Sequence, residues 1–283
     1  MARPPLLPTD LTPSQVVALQ DALLANADRL LRAAFAMLDA DDVPLARSLA
    51  ILGMEESGKA IALHERRLQM AYVPDGEAFV DQCLLDLWGL HGKKLEVVYD
   101  FLVREDYWFG TGPSDPDETA RALGTIEEWK RDHNLIKHRG FYVDVTPDGE
   151  PVVPQEIADG DAGREVLQHV HQIGWQLRLG EHIEGKRQLE SQQAVPPATE
   201  EEIEAMRSLM RRVQDAEMVE HILDTMRAGK SAQALNNAGY AFVLPENPFD
   251  TVGRPGYEAQ DRELAALARE VYGNAGEEHT AED

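Results

Sequence analysis

Residues 130–139 read Lys130-Arg131-Asp132-His133-Asn134-Leu135-Ile136-Lys137-His138-Arg139 and run straight into Gly140-Phe141-Tyr142-Val143-Asp144. Cations and histidines crowd this strip, although the chain as a whole carries a formal net charge of -24. Excess negative charge repels phosphate backbones, so a lone basic strip is where a polyanion can still dock. Arg131 and His138 are separated by two helical turns, about 10 Å along a helix axis. A histidine that titrates near neutrality can take a proton from a ribose 2′-OH or give one to a leaving 5′-oxygen. The bidentate fork of an arginine can brace the five-coordinate phosphate between those steps. Together the pair has the chemistry to cut RNA without a metal, with Lys130, Asn134, Lys137 and Arg139 as neighbouring ligands for the backbone.

The same residues also describe a solvated, basic helix end that complements the helix dipole. An arginine a few residues before a histidine is a common spacing, and Arg164 with His169 or His171 fits it too. Spacing alone leaves both readings open.

Whatever the strip does, helices must position it. Thr12-Pro13 is an N-cap followed by proline in the first turn, and apolar residues then recur at helical spacing from Gln15 to Leu38. Further helices are expected at about 44–70, 77–104 and 117–139, the last with Ala122, Ile126, Trp129, His133 and Ile136 facing the core and Gly140 as its stop. A Gly/Pro/Asp-rich link at 110–116 separates the third from the fourth. Residues 141–145 and 150–153 around Pro147-Asp148-Gly149 suggest a small hairpin. A long helix at about 162–191, a linker at 194–200, one or two helices over 201–228, a short helix at 260–272 and an acidic tail complete the chain. Long amphipathic helices with short connections predict an all-α antiparallel bundle over 10–192, with a helical C-terminal extension over 197–283.

On the second helix Leu45, Leu49, Leu52, Glu56, Lys59 and Leu63 fall close to one stripe, which predicts a partly desolvated Glu56–Lys59 pair. Gly53 and Gly58 inside that helix each cost about 1 kcal/mol against alanine, which suggests close approach by another helix. His91 and Lys94 sit on or beside the apolar stripe of the third helix, where a lone histidine is usually a hydrogen-bonded core or edge residue. A di-iron bundle needs Glu-x-x-His on two helices, and no histidine here has a glutamate three residues before it. Neither a metal site nor a cofactor is therefore expected. Cys83 is the one cysteine, which excludes internal disulfides and fits a reducing, cytoplasmic setting. The N-terminus lacks the apolar run of a signal peptide, and no segment approaches the roughly 20 apolar residues of a membrane helix.

Ala46-Arg47-Ser48-Leu49-Ala50, then Glu55-Glu56-Ser57-Gly58-Lys59-Ala60, then His91 and Lys94, then the basic helix ending in Gly140-Phe141-Tyr142-Val143-Asp144, resembles the AbiV family of abortive-infection proteins within the all-α HEPN superfamily. The resemblance covers roughly residues 10–190. It implies antiviral defence, a homodimer and, from the superfamily's active members, a metal-independent endoribonuclease whose arginine, polar residue and histidine correspond here to Arg131, Asp132 and His138. Glu56, Lys59, His91 and Tyr142 then become structural residues near the site. Other superfamily members are non-catalytic binding modules, which implies the alternative of a helical module that docks a phage or host protein.

Overall fold

The computed structural model describes residues 7–104, 115–154, 160–247 and 249–277. Within them the chain is all-α, with one two-stranded hairpin. α1 (Pro13–Asp39) opens with a capping box in which the Thr12 hydroxyl accepts from Gln15 N and Gln15 Oε1 accepts from Thr12 N. A tight turn through Asp41 returns the chain into α2 (Val43–Met70), capped by Asp42 and antiparallel to α1. Helices α1, α4, α6 and α7 surround α2 on all sides. That position explains its composition: Ala46, Ser48, Ala50, Ser57, Gly58 and Ala60 are buried and small, so neighbouring backbones come close. Gly58 is the tightest case. A Cβ there would run into the Lys94 carbonyl and stand 3.2 Å from Val98 Cγ2. The close approach predicted from the glycines is thus made within the chain, by α4.

Encirclement also corrects the expected core stripe of α2. Of that stripe Leu63 is fully enclosed, but Leu45, Leu49, Leu52, Glu56 and Lys59 are only half-buried, whereas Ala46, Ala50, Ile51, Met54, Gly58 and Ile61 are fully enclosed. A helix packed on every side has no single apolar stripe, and amphipathic reasoning picks its least buried face.

Two expected helices are each broken in two. α3 (Gln82–Gly89) ends at Leu90, whose extended backbone lets α4 (His91–Arg104) start afresh at His91. α5 (Pro116–Leu123) ends at Gly124, and Thr125 caps α6 (Ile126–Phe141) by accepting from Glu128 N. Gly140 does not stop α6. It is buried inside the last turn, where a Cβ would overlap the Ser48 hydroxyl and the Pro44 carbonyl. The hairpin follows as β1 (Asp144–Val145) against β2 (Pro151–Val152), with Asp144 opposite Val152. The link expected at 110–116 lies mostly, and the acidic end at 278–283 wholly, outside the described residues.

α7 (Gly160–Ser191) closes the bundle, burying Val166, Val170, Ile173 and Leu177 against α1 and α2. Beyond it, α8 (Glu200–Leu209) and α9 (Ala216–Ala228) pack on each other. The chain then returns to the bundle as a strap. Asn237 Nδ2 donates to the Met70 and Val73 carbonyls at 3.0 and 2.8 Å, Tyr240 stacks on Phe79, and Phe242 N donates to Gln188 Oε1. α10 (Glu258–Glu277) finishes the strap, with Arg262 paired to Asp28 of α1 and Glu263 to His171 of α7. Under it, Arg67 and Arg178 converge on Glu181 at 3.1 and 2.7 Å, and Phe242 and Tyr257 cover the two guanidinium groups at 4.1 and 3.8 Å. Among the described residues no helix is long and apolar enough to cross a membrane.

Candidate functional site

Two of the features expected on α6 fall on opposite sides of it. Trp129 and Gly140 face inward, and the His133 ring lies 4.0 Å from the Trp129 ring while its Nδ1 meets the Trp129 carbonyl. Burial pushes the His133 imidazole below its ordinary pKa, so it sits neutral in the packing. Arg131, Asp132, Asn134, His138 and Arg139 are exposed. The Arg131 guanidinium is held at 2.9 Å by Asp132, its immediate neighbour, and the His138 ring lies 6.2 Å from that of Tyr142, inclined to it by 27°. Arg131 and His138 share the outer face but do not touch, as two intervening turns require.

Lys137, expected among the ligands on the outer face, is buried. Its stem passes between α6 and α2, and its ammonium meets Glu55 Oε1 at 2.5 Å, with both side chains less than 10 % exposed (7 % and 4 %). Its main-chain carbonyl is also tied to α2, accepting from the Ser48 hydroxyl at 3.0 Å. The basic strip therefore reaches solvent through Arg131, His138 and Arg139. Lys130 sits half-buried, bridging to Glu96 of α4 at 3.1 Å.

Glu55 is the residue that the sequence stripe missed. Its second oxygen, Oε2, meets His91 Nδ1 at 2.7 Å, so one buried carboxylate joins α2, α4 and α6. Burial alone would raise its pKa. The hydrogen bonds from Lys137 and His91 outweigh that and hold it below the ordinary carboxylate range. An ionised carboxylate only accepts, so His91 Nδ1 must carry the proton, which leaves Nε2 as the free position of a ring that is two-thirds exposed. Glu56 and Lys59 form the expected half-buried pair at 2.6 Å, with the Lys59 ammonium also near the Trp88 ring. Lys94, one turn after His91, is buried beside this cluster; desolvation and then the Lys59 charge push its pKa down. Tyr142 is exposed, with its ring beside that of His138.

The rival histidines have other roles. His169 is half-buried and its pKa is lowered by desolvation. His171 does open, with Arg164, onto a cleft of about 450 Å³ between α1, α7 and α10, but its ring is spent on Glu263 and on Arg262. Among the described residues no group of acidic, histidine and cysteine side chains could hold a metal ion.

No curated protein and no solved structure matches the chain. The sequence model of the HEPN_AbiV family, described as AbiV, matches residues 15–175. That span runs from α1 into α7 and includes Glu55, His91, Lys94, Arg131, Lys137 and His138, while the strap and α8–α10 fall outside it. The match covers more than half of the 283 residues, and the chain belongs to the AbiV family of the HEPN superfamily.

Proposed function

We propose that this AbiV-family chain serves abortive-infection defence as a metal-independent endoribonuclease working through the outer face of α6. Arg131 would hold the phosphate, with Asp132 fixing its guanidinium, and His138 would move the proton of the 2′-OH or of the leaving 5′-oxygen. The observation that carries the reading is the shared, solvent-open face of Arg131 and His138. Being two turns apart in one chain, they converge most directly if a second copy supplies one of them, so the active form is read as a cytoplasmic homodimer. Cleavage of RNA by purified protein in EDTA, leaving 2′,3′-cyclic phosphate ends, is the expected result. Both His138→Ala and Arg131→Ala should abolish it while leaving unfolding stability within about 0.5 kcal/mol, since both side chains are exposed. Full cutting by His138→Ala, or loss of cutting in EDTA, refutes this mechanism.

A second reading has its own support. Leu209 is 79 % exposed, and Val213 and Met218 beside it are also open, so the α8–α9 pair presents an apolar edge that suits docking of a phage or host protein. Under that reading Leu209→Asp with Met218→Asp abolishes phage protection, and His138→Ala does not.

A further inference from the structure

The junction of α2, α4 and α6 holds three ammonium groups, from Lys59, Lys94 and Lys137, against two carboxylates, from Glu55 and Glu56. Every pairing is already taken. Glu55 Oε1 belongs to Lys137 and Oε2 to His91, while Glu56 belongs to Lys59. Among the described residues the Lys94 ammonium has no hydrogen bond or ion pair, although Lys94 is only 8 % exposed. A charge on a side chain nine-tenths buried, with no direct partner and only the more distant fields of Glu55 and Glu56 to ease it, is costly, and a chain with a net charge of -24 has no shortage of carboxylates that could have paired with it. The surplus of one positive charge is therefore a property of this place.

The place is also open to a ligand. α4 begins at His91 immediately after the extended Leu90; the Lys93 N–H donates to the Leu90 carbonyl at 3.2 Å, and among the described residues the His91 and Gly92 N–H groups have no acceptor. Gly92, the second residue of the helix, is exposed, and a Cβ there would meet only the Lys130 stem at 3.9 Å. The backbone can thus be approached closely, at the positive end of a fourteen-residue helix. His91, pinned through Nδ1 by Glu55, is the first residue of the same helix and keeps its exposed ring's Nε2 unpaired. Lys130 joins this helix end to the outer strip of α6.

We propose that Lys94, His91 and the first N–H groups of α4 form a phosphate-binding site that seats a backbone phosphodiester of single-stranded RNA. A phosphodiester carries the single negative charge that the junction lacks, and its oxygens accept from an ammonium, from helix N–H groups and from His91 Nε2 when that nitrogen also carries a proton. The identity of the phosphate's owner rests on the ribonuclease reading above; the site itself does not. Bound there, one phosphate of the strand is gripped at α4 while its neighbours run along the face of Arg131 and His138.

The test uses the full chain with two probes: inorganic phosphate, followed by calorimetry and by the ring signals of His91 in NMR, and a labelled single-stranded RNA, titrated over a range of salt. Lys94→Met replaces a buried cation with an isosteric apolar chain, and His91→Gln alters an exposed ring, so both should fold. Each is expected to weaken phosphate binding by about tenfold or more, the loss of one charge-assisted contact. Phosphate should shift the His91 signals in the wild type and not in Lys94→Met. Lys94→Met should also flatten the dependence of log affinity for RNA on log salt by about 0.7. If phosphate fails to move His91, or if Lys94→Met keeps wild-type phosphate affinity, the site is refuted whatever RNA does. If phosphate binds and Lys94→Met abolishes it, but the wild type neither binds nor cuts RNA, the site stands and the ribonuclease reading falls.

Discussion

Lys137→Met is the sharpest probe of how the basic helix is held. Lys137 and Glu55 are 7 % and 4 % exposed, and their charged atoms are 2.5 Å apart. Removing the ammonium leaves a carboxylate enclosed between α2 and α6 with the His91 hydrogen bond as its one remaining direct partner and the Lys94 charge at longer range. Breaking a buried pair from one side costs about 3–5 kcal/mol, most of it the desolvation of the charge left behind. The Ser48 bond to the Lys137 carbonyl survives, because it is made to the main chain. Urea unfolding followed by circular dichroism should therefore show Lys137→Met losing about 3 kcal/mol or more. Removing both charges, as Glu55→Leu with Lys137→Met, should recover much of that, since an apolar pair of similar volume is often neutral or better. If Lys137→Met unfolds within about 0.5 kcal/mol of the wild type, its ammonium is free in solution and the ion pair does not hold α6 to α2. Glu55→Leu would then leave the slope of RNA affinity against salt unchanged, and Lys137→Met would reduce it.

Two further perturbations follow from packing and burial. Gly58→Ala puts a methyl group into the Lys94 backbone, which cannot yield as a side-chain end can; a loss of about 1–3 kcal/mol in urea unfolding is expected, and a neutral result would mean that α4 is displaceable. Burial pushes the His64 imidazole down to about 4, so it stays neutral in the fold while the unfolded chain takes up a proton near pH 6.5. Because the unfolded state binds more protons in this interval, stability should fall as pH drops from about 6.5 to about 4, by up to about 3 kcal/mol. Below that, protonation of Glu55 and Glu181, both held below the ordinary carboxylate range despite burial, removes more. His64→Phe should flatten the first part of that pH profile.

The helices of the bundle were legible in the sequence because caps, prolines and a 3.6-residue period are local signals, and α1, α2 and α7 fall within two residues of expectation at each end. The break at Leu90 carries no local signal, since apolar spacing continues across it; the break at Gly124 has one, a glycine at positive φ followed by the Thr125 N-cap, which the continuing apolar spacing masks. His91 accordingly changed from a mid-helix residue to the first residue of α4. On α6 the periodicity correctly turned His133 inward and left His138 outside. It misplaced Lys137 because a lysine counts as polar in any pattern, although its four-carbon stem can cross an apolar contact and end on a buried carboxylate. Glu55 and Glu56 differ by a single position, and which of the two is buried depends on where α4 and α6 lie around α2. The doublet Glu55-Glu56 before Gly58 was the available signal, but it did not say which carboxylate mattered.

The strap has a consequence for how the molecule survives a cut in its chain. Residues 245–247 and 249–250 are exposed and connect anchors that grip independently: Asn237 and Phe242 on one side, Gly256, Tyr257 and Arg262 on the other. A protease that nicks between them severs a covalent bond but leaves each piece seated on α2 or α7. The product would migrate as one particle in a sizing column and as two bands after denaturation, so the unity of this fold does not depend on the continuity of its backbone at that point.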